Sequence, residues 1–291
     1  MAATPIIFDR SLRLRRLLRA QAQGPEDFLL RAAADELAAR LSSVLRDFPD
    51  ALDIGAPSPL AAQAIARRGR RVVRLAGHRA FGESPNFIVG DEEALPVGPE
   101  SFDLVVSALA LQWVNDLPGA LVQIRRALRP DGLLLACMIG GGSLGELRAS
   151  FTAAEADLEG GASPRVAPFV DVRALGALMQ RAGFALPVVD SEPLVVRYDS
   201  MFGLMSDLRA MGATNSLAAR VRKPLRRATL MRAAEIYADR YSDLDGRVRA
   251  TFELMWLTGW APHDSQQKPL KPGSAQMRLA DVLKPRSRDD S

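Results

Sequence analysis

Short apolar runs closed by turn residues recur through the first two thirds of the chain, and stretches with helical spacing of apolar positions fall between them. Ala51, Leu52 and Ile54 form a run that stops at Gly55, and the alanine-rich residues 60–66 then predict a helix. Residues 71–75 and 86–90 read as the second and third strands. Residues 102–107 are apolar enough for a strand buried on both faces. A helix is predicted over 117–127, a turn at Arg129-Pro130-Asp131-Gly132, where Pro and Gly supply the required φ angles, and a strand over 133–138. Helices follow over 144–157 and 171–182, the second stopped by Gly183, then a strand-like segment over 194–198 and a helix over 200–210. Strands alternating with helices predict a parallel α/β sheet.

Such a sheet binds nucleotides outside the carboxyl end of its first strand. That place is taken here by Asp53-Ile54-Gly55-Ala56-Pro57-Ser58-Pro59. Glycines serve in this turn because they accept positive φ and let backbone amides approach a ligand. Pro57 and Pro59 each remove a donor, and Ala56 and Ser58 each add a Cβ. Two readings stand: a cofactor loop with few donors, or an ordinary strand-to-helix turn with Ser58 or Gly55 near the cap. About 20 residues beyond the turn, where an acidic side chain commonly receives ribose hydroxyls, the chain has Ala76-Gly77-His78. After the third strand come Asp91, Glu92 and Glu93, which suit either an adenine or ribose contact or the cap of the next turn.

Asp53-Ile54-Gly55, Phe102-Asp103-Leu104-Val105-Val106-Ser107, Trp113-Val114-Asn115-Asp116-Leu117-Pro118 and Leu128-Arg129-Pro130-Asp131-Gly132, in that order, resemble a class I S-adenosylmethionine-dependent methyltransferase. Ile7-Phe8-Asp9-Arg10, Asp91 to Pro96, Gly142 to Arg148, Glu159 to Pro164, Met211 to Asn215 and Trp260 to Gln266 are similar to the respiratory complex I assembly-factor branch of that fold, and so to the biotin-pathway malonyl-carrier methyltransferases. The resemblance implies a Rossmann-like seven-stranded sheet with helices on both faces and added helical segments. It implies S-adenosylmethionine over the early strand ends, with Asp53, Gly55 and Ala56 on the methionine side, Ala76 at the ribose position, and Asp91 and Glu92 on the adenine side. Ser107, Gln112 and Trp113 would flank the substrate opening. For the assembly-factor branch it implies action on an arginine of a respiratory-chain subunit, described as hydroxylation. The chain departs from the pattern at Ala56 to Pro59 and at Ala76. Losing a buried hydrogen-bond partner costs roughly 1–3 kcal/mol, so two losses move ligand binding from about micromolar toward millimolar.

The 291 residues suggest an N-terminal helical segment (1–45), a core (46–200) and a C-terminal helical and substrate-side region (201–291). Their composition, 48% hydrophobic and 25% charged, is that of a globular chain. No apolar stretch reaches the roughly 20 residues of a membrane span. The single Cys137 lies in an apolar run and rules out an internal disulfide, which leads to the expectation of a cytoplasmic protein. Arg10, Arg13, Arg15, Arg16 and Arg19 interleave with Leu12, Leu14, Leu17 and Leu18 as an amphipathic helix. The simplest reading lays it on the domain with its arginines in solvent, and a peripheral membrane contact is the alternative. Nucleic-acid recognition patterns are missing, so no specific nucleic-acid partner is expected.

Gly140-Gly141-Gly142-Ser143 lacks the Lys-Ser or Lys-Thr of a phosphate loop and reads as a mobile strand exit. Arg67 to Arg70 read as a basic helix end, and residues 284–291 are given no role. His263, in a polar context with Ser265 and Gln266, is a substrate-side candidate, though it equally suits a structural role. No metal-ligand spacing and no catalytic residue are identified. Two function classes remain. One is a methyltransferase acting on a protein or carrier-linked acceptor, with an open pocket bounded by Asp53, Gly55, Asp91 and Trp113. The other is an assembly factor that binds a respiratory-chain subunit, with Pro57, Pro59 and their neighbours filling that pocket.

Overall fold

The computed structural model describes residues 5–66, 70–82 and 85–267; the readings at 67–69 and 284–291 lie outside these. Two helices, α1 (Arg10–Gln23) and α2 (Phe28–Ser42), precede the sheet. The order along the chain is then β1 (Asp50–Ile54), α3 (Leu60–Ala66), β2 (Arg71–Ala76), β3 (Phe87–Val89), β4 (Phe102–Ala108), α4 (Leu117–Ala127) and β5 (Leu128–Ile139). It continues through α5 (Gly145–Glu159), α6 (Val172–Arg181), β6 (Ala185–Tyr198), α7 (Met201–Ala210), α8 (Arg227–Tyr241) and β7 (Val248–Trp260).

The seven strands form one sheet in the order β3-β2-β1-β4-β5-β7-β6, as the Rossmann-like reading requires. β1 to β5 run parallel, and β7 inserts antiparallel between β5 and β6. Apolar side chains alternate to the two faces: Leu104, Val106, Leu133 and Leu135 pack under α2 and α3, while Leu52, Val105, Leu134 and Met138 pack with Leu121 and Ile124 of α4. A third cluster joins α5, α7 and α8 to the first half of β7. Strand order reverses between β1 and β4, which opens a crevice at their carboxyl ends.

Three expectations change. The Pro-Asp-Gly turn lies inside β5 as a bulge: Asp131 has φ of 63°, its amide donates to Ala261 O, and the register with β4 jumps between Phe102 and Leu104. The Gly140 to Ser143 segment is pinned, because Gly142 N donates to Glu253 Oε2 (2.7 Å) and Ser143 Oγ accepts from Glu253 N (2.8 Å). The C-terminal region read as helical holds α8 but also supplies the strand β7, where Arg249 and Glu253 interrupt the apolar run that would mark it.

Candidate functional site

At the carboxyl ends of β1, β2 and β4 lies a chamber of about 460 Å³, roofed by α1. Its walls include Gly55, Pro57, Gly77, Gly90, Asp91, Glu92 and Trp113. The size falls in the roughly 300–1,000 Å³ range of small-molecule sites. Pro57 lines the chamber without closing it. Gly55 has φ of +82°, and a Cβ there would stand 2.7 Å from Ala110 Cβ and 2.9 Å from Glu92 Oε1. Glycine at this place lets Ala110 and Glu92 pack against the loop, and its bare backbone lines the chamber.

Under this loop, Asp53 is 1% exposed, with Oδ2 3.4 Å from Arg74 Nε and no hydrogen-bond partner for Oδ1. Burial pushes the Asp53 carboxyl up to about 6, against the pull of Arg74. Arg74 also donates to Phe81 O (2.8 Å) and Ala56 O (3.1 Å), tying the loops after β1 and β2 together. Sequence reading missed this residue, whose signal was a lone cation inside the apolar run Val72-Val73-Arg74-Leu75. Ala56 and Ala76 are buried, and Ala76 O accepts from Gly90 N. Beyond the buried Ala76, it is Gly77 that lines the chamber.

The acidic rim caps its own turn and pairs with the roof. Asp91 Oδ1 accepts from Glu93 N, a turn cap, and both Asp91 and Glu92 are ion-paired with Arg10 of α1. Glu92 is the more buried, and desolvation raises its pKa. The roof is held by residues far apart in sequence. Asn115 Oδ1 accepts from Ile7 N (2.9 Å) and Phe8 N (2.7 Å), Asp9 caps α1 at Leu12 N, and Asp9 pairs with Arg220. The rings of Phe8, Trp113 and Phe169 stack edge-on at 5.4 and 5.6 Å. Arg13 donates to Gly212 O and Arg16 to Thr214 O and Asn215 O, while Asn215 Nδ2 donates to Pro164 O. Arg10, Arg13 and Arg16 thus face inward, contrary to the solvent-facing reading; Arg15 and Arg19 are exposed. Carboxylates and carbonyls from distant segments supply their partners.

A second, mainly apolar chamber of about 110 Å³ shares Arg13, Pro57, Leu109 and Trp113 with the first. Gln112, 6% exposed, contributes to its lining; its Nε2 donates to Leu109 O and its Oε1 has no partner. Glu26 and Phe169 also line it. Ser107, in contrast, is fully buried below both chambers, with Oγ donating to Ile54 O (2.9 Å). His263 lies past the end of β7, which pairs with the start of β5, so it sits at the amino end of the parallel strands, away from the chambers. It is exposed and bonded to Ser265 Oγ, while Gln266 ties this corner to Asp131. The antiparallel direction of β7 separates His263 from the substrate side.

Residues 52–136 match the family model described as a methyltransferase domain. The mitochondrial arginine-hydroxylase NDUFAF5 of Danio rerio is 38% identical over 289 residues, covering 96% of this chain and 90% of that relative. A malonyl-[acyl-carrier protein] O-methyltransferase of Halorhodospira halophila is 32% identical, covering 89% of this chain and 90% of its own. Among solved structures, a methyltransferase of Bacillus halodurans superposes with a TM-score of 0.55 at 13% identity, covering 80% of this chain and all of that one, which supports the fold alone. The expectation of a cytoplasmic protein does not stand, because the NDUFAF5 relatives spanning 96% of the chain are mitochondrial. A buried Cys137 reports a core thiol and not a compartment. No helix among the described residues is long and apolar enough to cross a membrane. The chain belongs to the class I S-adenosylmethionine-dependent methyltransferase family, alongside the NDUFAF5 arginine-hydroxylases and in kinship with the malonyl-carrier methyltransferases.

Proposed function

We propose that this chain modifies an arginine side chain of a respiratory-chain protein subunit, as its relatives' description as arginine-hydroxylases suggests. The first chamber holds an adenosyl ligand and the second receives the arginine. The observation that carries this reading is the second chamber itself. It opens beside the first, is walled by Trp113 and Phe169, and has the unpartnered Gln112 Oε1 buried in its wall. Aromatic walls suit a planar cation, and an unpartnered buried acceptor suits its N–H groups.

The residues of the first chamber fit an adenosyl ligand: Gly55 lines it as a cradle of bare backbone, and Glu92 and Asp91 offer acceptors to amino and hydroxyl groups. When bound, S-adenosylmethionine supplies an electrophilic methyl group. Arg10 must share or yield these carboxylates when the ligand enters. Trp113 and Gln112 orient the guanidinium, Phe169 and Leu109 exclude water, and Pro57 sets the distance between the chambers. The relatives' names favour hydroxylation as the outcome on the acceptor. That step would insert one oxygen atom of dioxygen into a C–H bond, with two electrons and two protons from an external reductant carrying the other oxygen away as water; the adenosyl ligand would supply none of these.

The test is to purify the chain after co-expression with respiratory-chain subunits and map their arginines by mass spectrometry, alongside calorimetric titration with S-adenosylhomocysteine. A gain of one oxygen on an arginine, lost in Gln112→Leu, is the expected result; a gain of one methylene would assign methyl transfer instead. Unmodified arginines together with no nucleoside binding up to millimolar concentration would sink the reading.

A further inference from the structure

Helix α1 brings Arg10, Arg13 and Arg16 one turn apart along its inward edge, and each meets a different environment. Arg10 takes the carboxylates of Asp91 and Glu92, and Arg16 takes two backbone carbonyls. Arg13 lies between them, in the wall common to both chambers. Its Nη1 donates to Gly212 O (2.5 Å), and its guanidinium carbon stands 4.2 Å from the centre of the Trp113 ring. Neither partner carries a charge, and no carboxylate among the described residues lies within 4.0 Å of it. Burial pulls its pKa down, opposed by the charge of Glu92, which Arg10 already holds. Glu26, the acid that lines the second chamber, accepts through Oε1 from the backbone at Asp27 N and Phe28 N.

A guanidinium has five N–H donors in a planar fork that matches a carboxylate. With one donor engaged and the cation half-buried in the chamber wall, an anion from a ligand is the partner it lacks. While unpaired, the same cation repels any second cation entering the adjoining chamber, and its repulsion is poorly screened there.

We propose that Arg13 is a carboxylate clamp between the chambers: the ligand of the first chamber brings a carboxylate to it, and that pairing admits a cationic side chain to the second. This rests on the assignment of the two chambers made above. The nucleoside ligand of a family binding S-adenosylmethionine carries such a carboxylate on its amino-acid end, so Arg13 couples the two occupants and fixes their order. Coupling of this kind is reciprocal.

Calorimetry on the intact chain tests it with three probes. These are S-adenosylhomocysteine, methylthioadenosine, which has the nucleoside without the carboxylate, and N-acetyl-arginine methylamide, which has the guanidinium without a free carboxylate. The wild-type chain is expected to bind S-adenosylhomocysteine about tenfold or more tighter than methylthioadenosine. It should bind the arginine probe about tenfold tighter with the first nucleoside present than with the second. In Arg13→Gln, S-adenosylhomocysteine should fall to the level of methylthioadenosine, whose unchanged binding reports an intact fold, and the arginine probe should lose its dependence on the nucleoside. Arg13→Lys should restore part of the preference. Equal affinity for the two nucleosides in the wild type, a preference that survives in Arg13→Gln, or an arginine probe that ignores the nucleoside overturns the clamp alone. Failure of both nucleosides to bind overturns the clamp and the adenosyl reading together.

Discussion

Replacing Gly55 by alanine separates two costs that the structure sets side by side. At φ of +82° an L side chain is strained, and its Cβ would meet Ala110 Cβ at 2.7 Å and Glu92 Oε1 at 2.9 Å. The glutamate end can swing, but Ala110 Cβ is one bond from a backbone that is itself buried. Left-handed strain costs about 1–2 kcal/mol and overpacking about 1–3 kcal/mol, so the loss is about 2–5 kcal/mol. Two other glycines divide this sum. Gly24 has φ of +92° and nothing within 4 Å of the place a Cβ would take, so Gly24→Ala carries the strain alone. Gly145, at the start of α5, has ordinary φ and open space, so Gly145→Ala should be neutral or stabilise by up to about 1 kcal/mol. Urea denaturation read by circular dichroism gives all three, with the slope held common to confirm that only stability changes. The expected order of loss is Gly55→Ala, then Gly24→Ala, then Gly145→Ala. If Gly55→Ala costs no more than Gly24→Ala, the loop yields freely and the cradle argument is wrong.

Asp53 gives a pH prediction. Its folded pKa of about 6 lies above the unfolded 3.8, so between these values the folded state holds a proton that the unfolded state has released. Stability therefore falls as pH rises through that window, by about 2–3 kcal/mol. Asp53→Asn should flatten the stability profile between pH 4 and pH 7 relative to wild type; parallel profiles would show that Asp53 does not titrate this way. Removing Arg10, as Arg10→Met, leaves the partly buried Glu92 without its counter-charge, and a loss of about 1–3 kcal/mol is expected by urea midpoint. A change below about 0.5 kcal/mol would place that pair among negligible surface contacts. Asn115→Ala removes the acceptor for Ile7 N and Phe8 N, and hydrogen exchange at those amides should accelerate at least about tenfold while β4 and β5 stay protected. Uniform acceleration would mean that the arm is not a separate unit.

What could be read from the sequence was what lies close together along it. The strand-turn-helix from Asp50 to Ala66 was legible because its apolar run, its glycine and its alanine-rich helix adjoin. The two proline substitutions in the turn were visible too, but not that Pro57 would line both chambers and leave them open. The amphipathic helix α1 was legible as a helix, yet the direction of its arginines was not. Their acceptors, Asp91, Glu92 and the carbonyls of Gly212 to Asn215, come from segments that only the fold brings near. His263 failed for a related reason: the direction of β7 decides which end of the sheet it reaches, and nothing local to Trp260 to Gln266 states that direction. Arg74 carried a usable signal, a cation in a strand otherwise fit for burial, and it marks where two loops are tied.

The roof of the site joins the start of the described chain to residues made much later. Arg13 and Gly212 are 199 positions apart, and Asp9 and Arg220 are 211 apart. At ribosomal rates of about 5–20 residues per second, the first helix waits roughly 10–40 s for its seat to be synthesised. During that interval Arg10 and Phe8 can already find Asp91, Glu92 and Asn115, while Arg13 and Arg16 lack their carbonyl acceptors. A nascent or truncated chain that ends before Gly212 therefore carries a roof seated at one end only, with Arg13 and Arg16 free for other anionic surfaces.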